Sequence, residues 1–175
     1  VDVEANANYE TYTLCLGAAI SRFDLTFNMR GSGSESIFDS FYSVKGKQHT
    51  DHHTKVNHLV PHTSSKQLYK GILNDSGRAV FNGKVIIVQD AQKTDAEQLN
   101  KNLMLSDKSE IDTKPEMMID ADDVKCAHGA AIGQLSEEEI FYLKSRAIGD
   151  SEAKALLSKG YALESASRIS DADVK

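Results

Sequence analysis

Gly71-Ile72-Leu73-Asn74-Asp75-Ser76-Gly77, followed by Ala79-Val80-Phe81-Asn82-Gly83-Lys84-Val85-Ile86-Ile87-Val88, carries the reading of the fold. An apolar triplet runs into four consecutive turn formers, whose side chains bond their own backbone or tolerate a left-handed conformation. A second apolar triplet follows and meets Asn82-Gly83, the dipeptide most favoured at a tight hairpin or corner. Val85 to Val88 is a continuous run dominated by branched residues, which suits a strand covered on both faces.

The same rhythm extends in both directions. Phe23, Leu25, Phe27 and Met29 alternate with Asp24, Thr26, Asn28 and Arg30, the period of two of a half-buried strand. Gly31-Ser32-Gly33-Ser34 ends it. Ile37-Phe38 and Phe41-Tyr42-Ser43-Val44 come next and stop at Lys45-Gly46-Lys47. Val56, His58, Val60 and His62 share one parity until Pro61-His62-Thr63 interrupts the ladder. Lys66 to Lys70 reads as another patterned strand, and Leu103-Met104-Leu105 and Met117-Met118-Ile119 repeat the theme. Strands this short and this regularly spaced predict a sandwich, a barrel or a solenoid. No strict repeat of residue types is visible, so periodicity does not choose among them.

The last forty residues change character. Ser136-Glu137-Glu138-Glu139 is a capping box, with Leu135 and Ile140 placed as a hydrophobic staple and three glutamates suiting the helix dipole. A second helix is expected from about Asp150, with Ala153, Leu156, Leu157, Gly160, Tyr161 and Glu164 on one mostly apolar stripe that should pack on something. Ser165 to Lys175 reads as a polar, frayed tail. The expected organisation is a β core over 1–134 and a helical unit over 135–175.

Composition narrows the function. A net charge of −6 over 175 residues offers no basic excess for phosphate neutralisation, which argues against nucleic acid. No apolar run has the length that a bilayer needs. Two cysteines far apart, Cys15 and Cys126, are a poor disulfide framework and suit a reducing compartment. The chain opens on strand-like sequence at Val1, which points to a processed product or an excised fragment.

Two groups of residues could carry chemistry. His49, His52, His53, His58 and His62 crowd one window, and imidazole is a common metal ligand. On an unbroken strand His52, His58 and His62 would share a face and His53 would oppose them. No His-Glu-x-x-His spacing accompanies them, and hydrogen-bonded ladders with Thr54, Asn57 and Thr63 would use the same rings. Cys126 and His128, two apart, would point to one face of a strand and could share a soft metal ion, but two ligands do not close a tetrahedral site. Equally, Cys126 could be a small buried hydrophobe beside a hydrogen-bonded His128. There is no glycine-rich phosphate loop ending in Lys-Ser or Lys-Thr and no serine nucleophile elbow.

Seven segments in order resemble the SufB/SufD family of iron–sulfur cluster assembly scaffolds, in its SufD branch. They begin with Asp51-His52-His53-Thr54, Gln67 to Leu73, Phe81-Asn82-Gly83-Lys84 and Ala91 to Ala96. Asn102 to Asp107, with Asp112 to Glu116 in register, Ala121 to Ala130 and Ile140 to Arg146 complete the series. The resemblance implies a right-handed parallel β-helix followed by a small helical subdomain, in a family whose members are longer, with helical and β-helix segments before this point. It implies a non-catalytic scaffold that pairs with SufB through the C-terminal part of the β-helix and docks the ATPase SufC through its helical end. His128 matches the histidine implicated at the SufB interface, where transient iron or a nascent cluster is handled, with Cys126 beside it. Ile140, Phe141, Tyr142, Leu143 and Arg146 match the SufC-docking region, which continues into the next helix at Leu156 and Leu157. Ala147 stands where the family usually has glycine. The implied location is the cytoplasm, or the stroma of a plastid. Exposed strand edges would also let the chain self-associate as a homodimer. The competing expectation is a histidine-rich metal-dependent enzyme on a β fold.

Overall fold

The computed structural model describes residues 1–169. Ten strands and two helices follow one another: β1 (Asp2–Val3), β2 (Asn8–Cys15), β3 (Ile20–Met29), β4 (Glu35–Val44), β5 (His49–His58), β6 (Ser64–Leu73), β7 (Arg78–Ile87), β8 (Asp95–Met104), β9 (Glu110–Ile119), β10 (Lys125–Gln134), α1 (Glu137–Ser145) and α2 (Asp150–Ala166). Odd strands form one five-stranded sheet, sheet A, in the order β1-β3-β5-β7-β9. Even strands form the other, sheet B, in the order β10-β8-β6-β4-β2. Every pairing is parallel. The chain therefore crosses from one sheet to the other at each turn and climbs one rung per pair, as a β-solenoid of about five turns.

The rungs have nearly constant length. His49 pairs with Arg78, 29 residues on, and Asp95 with Lys125, 30 on, whereas Arg78 pairs with Glu110, 32 on. This is the repeat that residue types concealed. In-register positions share a direction rather than a chemistry, as in Phe23, His52, Phe81 and Thr113.

Alternation decides which side chains enter the core. In β7 Ala79, Phe81, Gly83, Val85 and Ile87 are buried and their neighbours are not. The column Phe27, Val56, Val85 and Met117 forms one apolar spine. A second layer is aromatic: His52 stacks on Phe23 and Tyr42 with centroids 4.9 and 5.0 Å away, and Tyr69 meets Phe81 at 4.8 Å.

Two expectations are corrected here. Asn82-Gly83 lies inside β7, not at a corner. Gly83 is required by packing, since a Cβ there would come 2.5 Å from Gln98 Nε2 and 2.6 Å from Phe81 Cζ. The true corner is Asn74 to Gly77, where Asp75 adopts φ 52°. Nor does His62 share a face with His52 and His58, because β5 ends at His58 and His62 sits in the turn with φ 58°.

Ser136 caps α1 by accepting from the Glu139 amide at 3.3 Å. α2 then runs back across the outer face of sheet B and packs on β4 and β6. Two charged contacts hold it. Lys70, with a fully buried side chain, donates from Nζ to Glu164 Oε2 (2.6 Å) and the Tyr161 carbonyl (2.8 Å), and lies 3.8 Å from the Tyr161 ring centroid. Arg168 Nε donates to buried Asp39 at 2.6 Å, and its carbonyl accepts from Tyr12 at 2.5 Å. The segment Ser165 to Ile169 is thus docked rather than frayed; the rest of the expected tail, 170–175, lies outside the described residues.

Candidate functional site at the open end of the solenoid

β9 and β10 are the last strands of their sheets, and each has a strand neighbour on one side only. Their inward-facing residues are consequently less covered than those of earlier rungs. Cys126 and His128 both lie on the inward face of β10, in register with Ala96 and Gln98 of β8. His128 crosses the mouth to β9, where its Nδ1 donates to the Pro115 carbonyl at 3.1 Å. That bond fixes the tautomer and leaves Nε2 as the nitrogen with a lone pair, the form a metal ligand needs. Cys126 is half-buried against the apolar core, and burial pushes its thiol pKa up, countered by the Ala96 backbone. That shift disfavours the thiolate, the form in which a cysteine binds metal. Met118, Ile119 and Ile132 leave apolar surface exposed at this end.

The helix pair presents a second surface. Phe141 is 74 % exposed, Tyr142 58 % and Leu156 49 %, whereas Ile140, Leu143 and Leu157 turn partly inward. Arg146 donates to the Tyr142 hydroxyl at 3.1 Å and lies over its ring. Ala147, just after it, takes φ 65°, a left-handed position that favours glycine.

The histidine window disperses. His58 is buried and satisfied by Thr63 (2.7 Å) and Ser65 (2.9 Å); His52 is buried in the aromatic layer with Thr50 at 3.2 Å. Burial lowers both imidazoles to about 4. His53 faces outward beside Asp51 at 2.9 Å, and His49 begins the strand. Among the described residues no three His, Cys, Asp or Glu side chains converge on a metal position. No helix among the described residues is long and apolar enough to cross a membrane.

Residues 1–161 match the family described as SUF system FeS cluster assembly, SufBD core domain. The chain belongs to the SufBD family. It is 42% identical over 158 residues to an iron–sulfur cluster assembly SufBD family protein of Synechocystis, covering 90% of this chain and 35% of that one. It is 36% identical over 165 residues to SufD of Escherichia coli, covering 94% and 39%. Against the chloroplastic protein ABCI7 of Arabidopsis thaliana it is 32% identical over 173 residues, covering 98% and 36%. The chain thus spans less than half the length of these curated relatives.

Sequence reasoning missed the clamp beneath α2. Lys70 and Asp39 each stand inside an otherwise apolar stretch, and a charge embedded in such a stretch was the available signal.

Proposed function

We propose that this chain is part of a SufD-type scaffold subunit, without catalytic activity of its own, that supplies half of an intersubunit site for iron or a nascent cluster. The observation that carries the reading is the placement of His128. It sits on an edge strand at the open end, with Nε2 available and, among the described residues, only Cys126 as a companion ligand. One imidazole and one thiol cannot complete a tetrahedral protein site, and another subunit is the source that supplies further protein ligands. The edges of β9 and β10 offer unpaired backbone groups to which a partner can add strands, and SufB is the partner that family membership suggests. Iron or the cluster is cargo here and not a resident cofactor. The exposed Phe141, Tyr142 and Leu156 suit the docking of a second partner, the SufC ATPase. The setting that the bacterial and chloroplastic relatives suggest is a cytoplasm or a plastid stroma.

The test is co-purification of the full-length subunit with SufB and SufC, followed by iron and sulfide analysis with and without His128→Ala. The variant should fold and assemble with its partners yet lose most of the cluster. Normal cluster content in the variant would refute the role of His128, and failure of the unsubstituted subunit to bind SufB would refute the partner assignment.

A further inference from the structure

Beneath His128 a row of polar side chains runs along the solenoid axis. The sheet B column is Phe38, Gln67, Gln98 and His128; facing it, the sheet A column is Leu25, Thr54, Gly83 and Pro115. In each of the last three rungs the sheet B side chain reaches across the lumen. Thr54 Oγ1 donates to Gln67 Oε1 at 3.1 Å. Gln98 lies over Gly83, in the space a Cβ would take. His128 Nδ1 reaches the Pro115 carbonyl. Gln98 Nε2 also donates to Gln67 Oε1 at 3.5 Å, so the two amides are linked along the axis. At its far end the row meets Phe38, packed 3.9 Å from the Phe27 centroid.

Gln67 and Gln98 are 2% and 0% exposed. Among the described residues Gln67 Nε2 and Gln98 Oε1 have no hydrogen-bond partner, and neither has Thr113 Oγ1, which faces inward on β9 two residues before Pro115. Turning both amides over exchanges donor and acceptor in their mutual contact and still leaves one atom of each unpaired. Buried polar atoms of this kind are satisfied in native interiors by ordered water, which needs two to four polar partners. The row provides an unpaired amide donor and an unpaired amide acceptor.

We propose that this row is a bound-water site, holding about one or two long-lived water molecules on Gln67 and Gln98 and closed over by the ring of His128. The site stands on the core geometry alone. Its bearing on cluster chemistry rests on the proposed function, under which iron held by His128 would sit above water already ordered within the protein.

Water–amide NMR contacts and water-oxygen relaxation dispersion on the whole chain test the site. Wild type should show contacts from the Gln67 and Gln98 side-chain amides to water that stays bound for longer than about a nanosecond. Gln98→Leu should lose them, with Gln67→Leu as the second variant if the first does not fold. His128→Ala should keep the contacts and shift the dispersion to shorter residence. Absence of contacts in wild type, or their persistence after Gln98→Leu, would overturn the proposal. Such a failure would leave the assembly role of His128 standing, and normal cluster content in His128→Ala would leave the water site standing.

Discussion

Acidification should destabilise the solenoid through His52 and His58 well before its carboxylates protonate. Both rings are buried, at 1% and 0% exposure, and both are held neutral with pKa values of about 4. In the unfolded chain a histidine titrates near ~6.5, so there it takes up its proton first. Their stabilising effect is therefore complete above that value, falls as pH drops through the window down to about 4, and levels off below it. At pH 5 the linkage relation gives a loss of about 2 kcal/mol for each ring, or about 4 kcal/mol together. That is a large part of the ~5–15 kcal/mol typical of a folded domain. Asp24, Asp150 and Glu164 have lowered pKa values, the first through its bond to Arg22, the second to Lys154 and the third to Lys70. Their contributions are lost only at lower pH, so the interval from 7 to 5 isolates the histidines. Urea unfolding followed by circular dichroism should show the loss in wild type. His58→Met, which matches its in-register neighbours Met29 and Ile87, should remove about half of the slope. A variant with the same dependence as wild type between pH 7 and 5 would refute the reasoning.

Three further outcomes are expected. Glu164→Ala leaves the buried Lys70 ammonium without its carboxylate and should cost about 3 kcal/mol; hydrogen exchange should show α2 amides opening while those of β7 stay protected. Ala147→Gly relieves a left-handed residue at the end of α1 and should raise stability by about 0.5–1 kcal/mol in thermal unfolding. Leu156→Asp, at a half-exposed position, should change stability by less than about 0.5 kcal/mol and weaken SufC capture. Unchanged capture would remove Leu156 from the proposed docking surface.

Much of the architecture was legible because inward and outward residues alternate. Phe23, Leu25, Phe27 and Met29 could be assigned to a strand at sight, and the Ser136 cap marked where β gives way to α. The choice of a solenoid was not legible locally. Strand partners lie 26 or more residues apart, and the shared position is occupied by Phe, His or Thr according to what the opposite column offers. Asn82-Gly83 misled for the same reason: a glycine that makes room for Gln98 looks identical in sequence to a glycine that makes a turn. At the candidate site the parity of Cys126 and His128 was readable. The bond from His128 to Pro115 and the clamp on Lys70 were not, because each depends on a chain segment brought from elsewhere by the fold.

A stack of rungs in which each touches only its neighbours would ordinarily melt inward from its ends. α2 alters that. Starting beside the last rung, it crosses to β6 at Glu164, and Arg168 just beyond its end reaches β4 and β2. It works like stitching across the spine of a book, binding the final page to the early ones. Loosening at either end is then resisted by the whole, and a partner that grips the helices holds the opposite side of the stack as well.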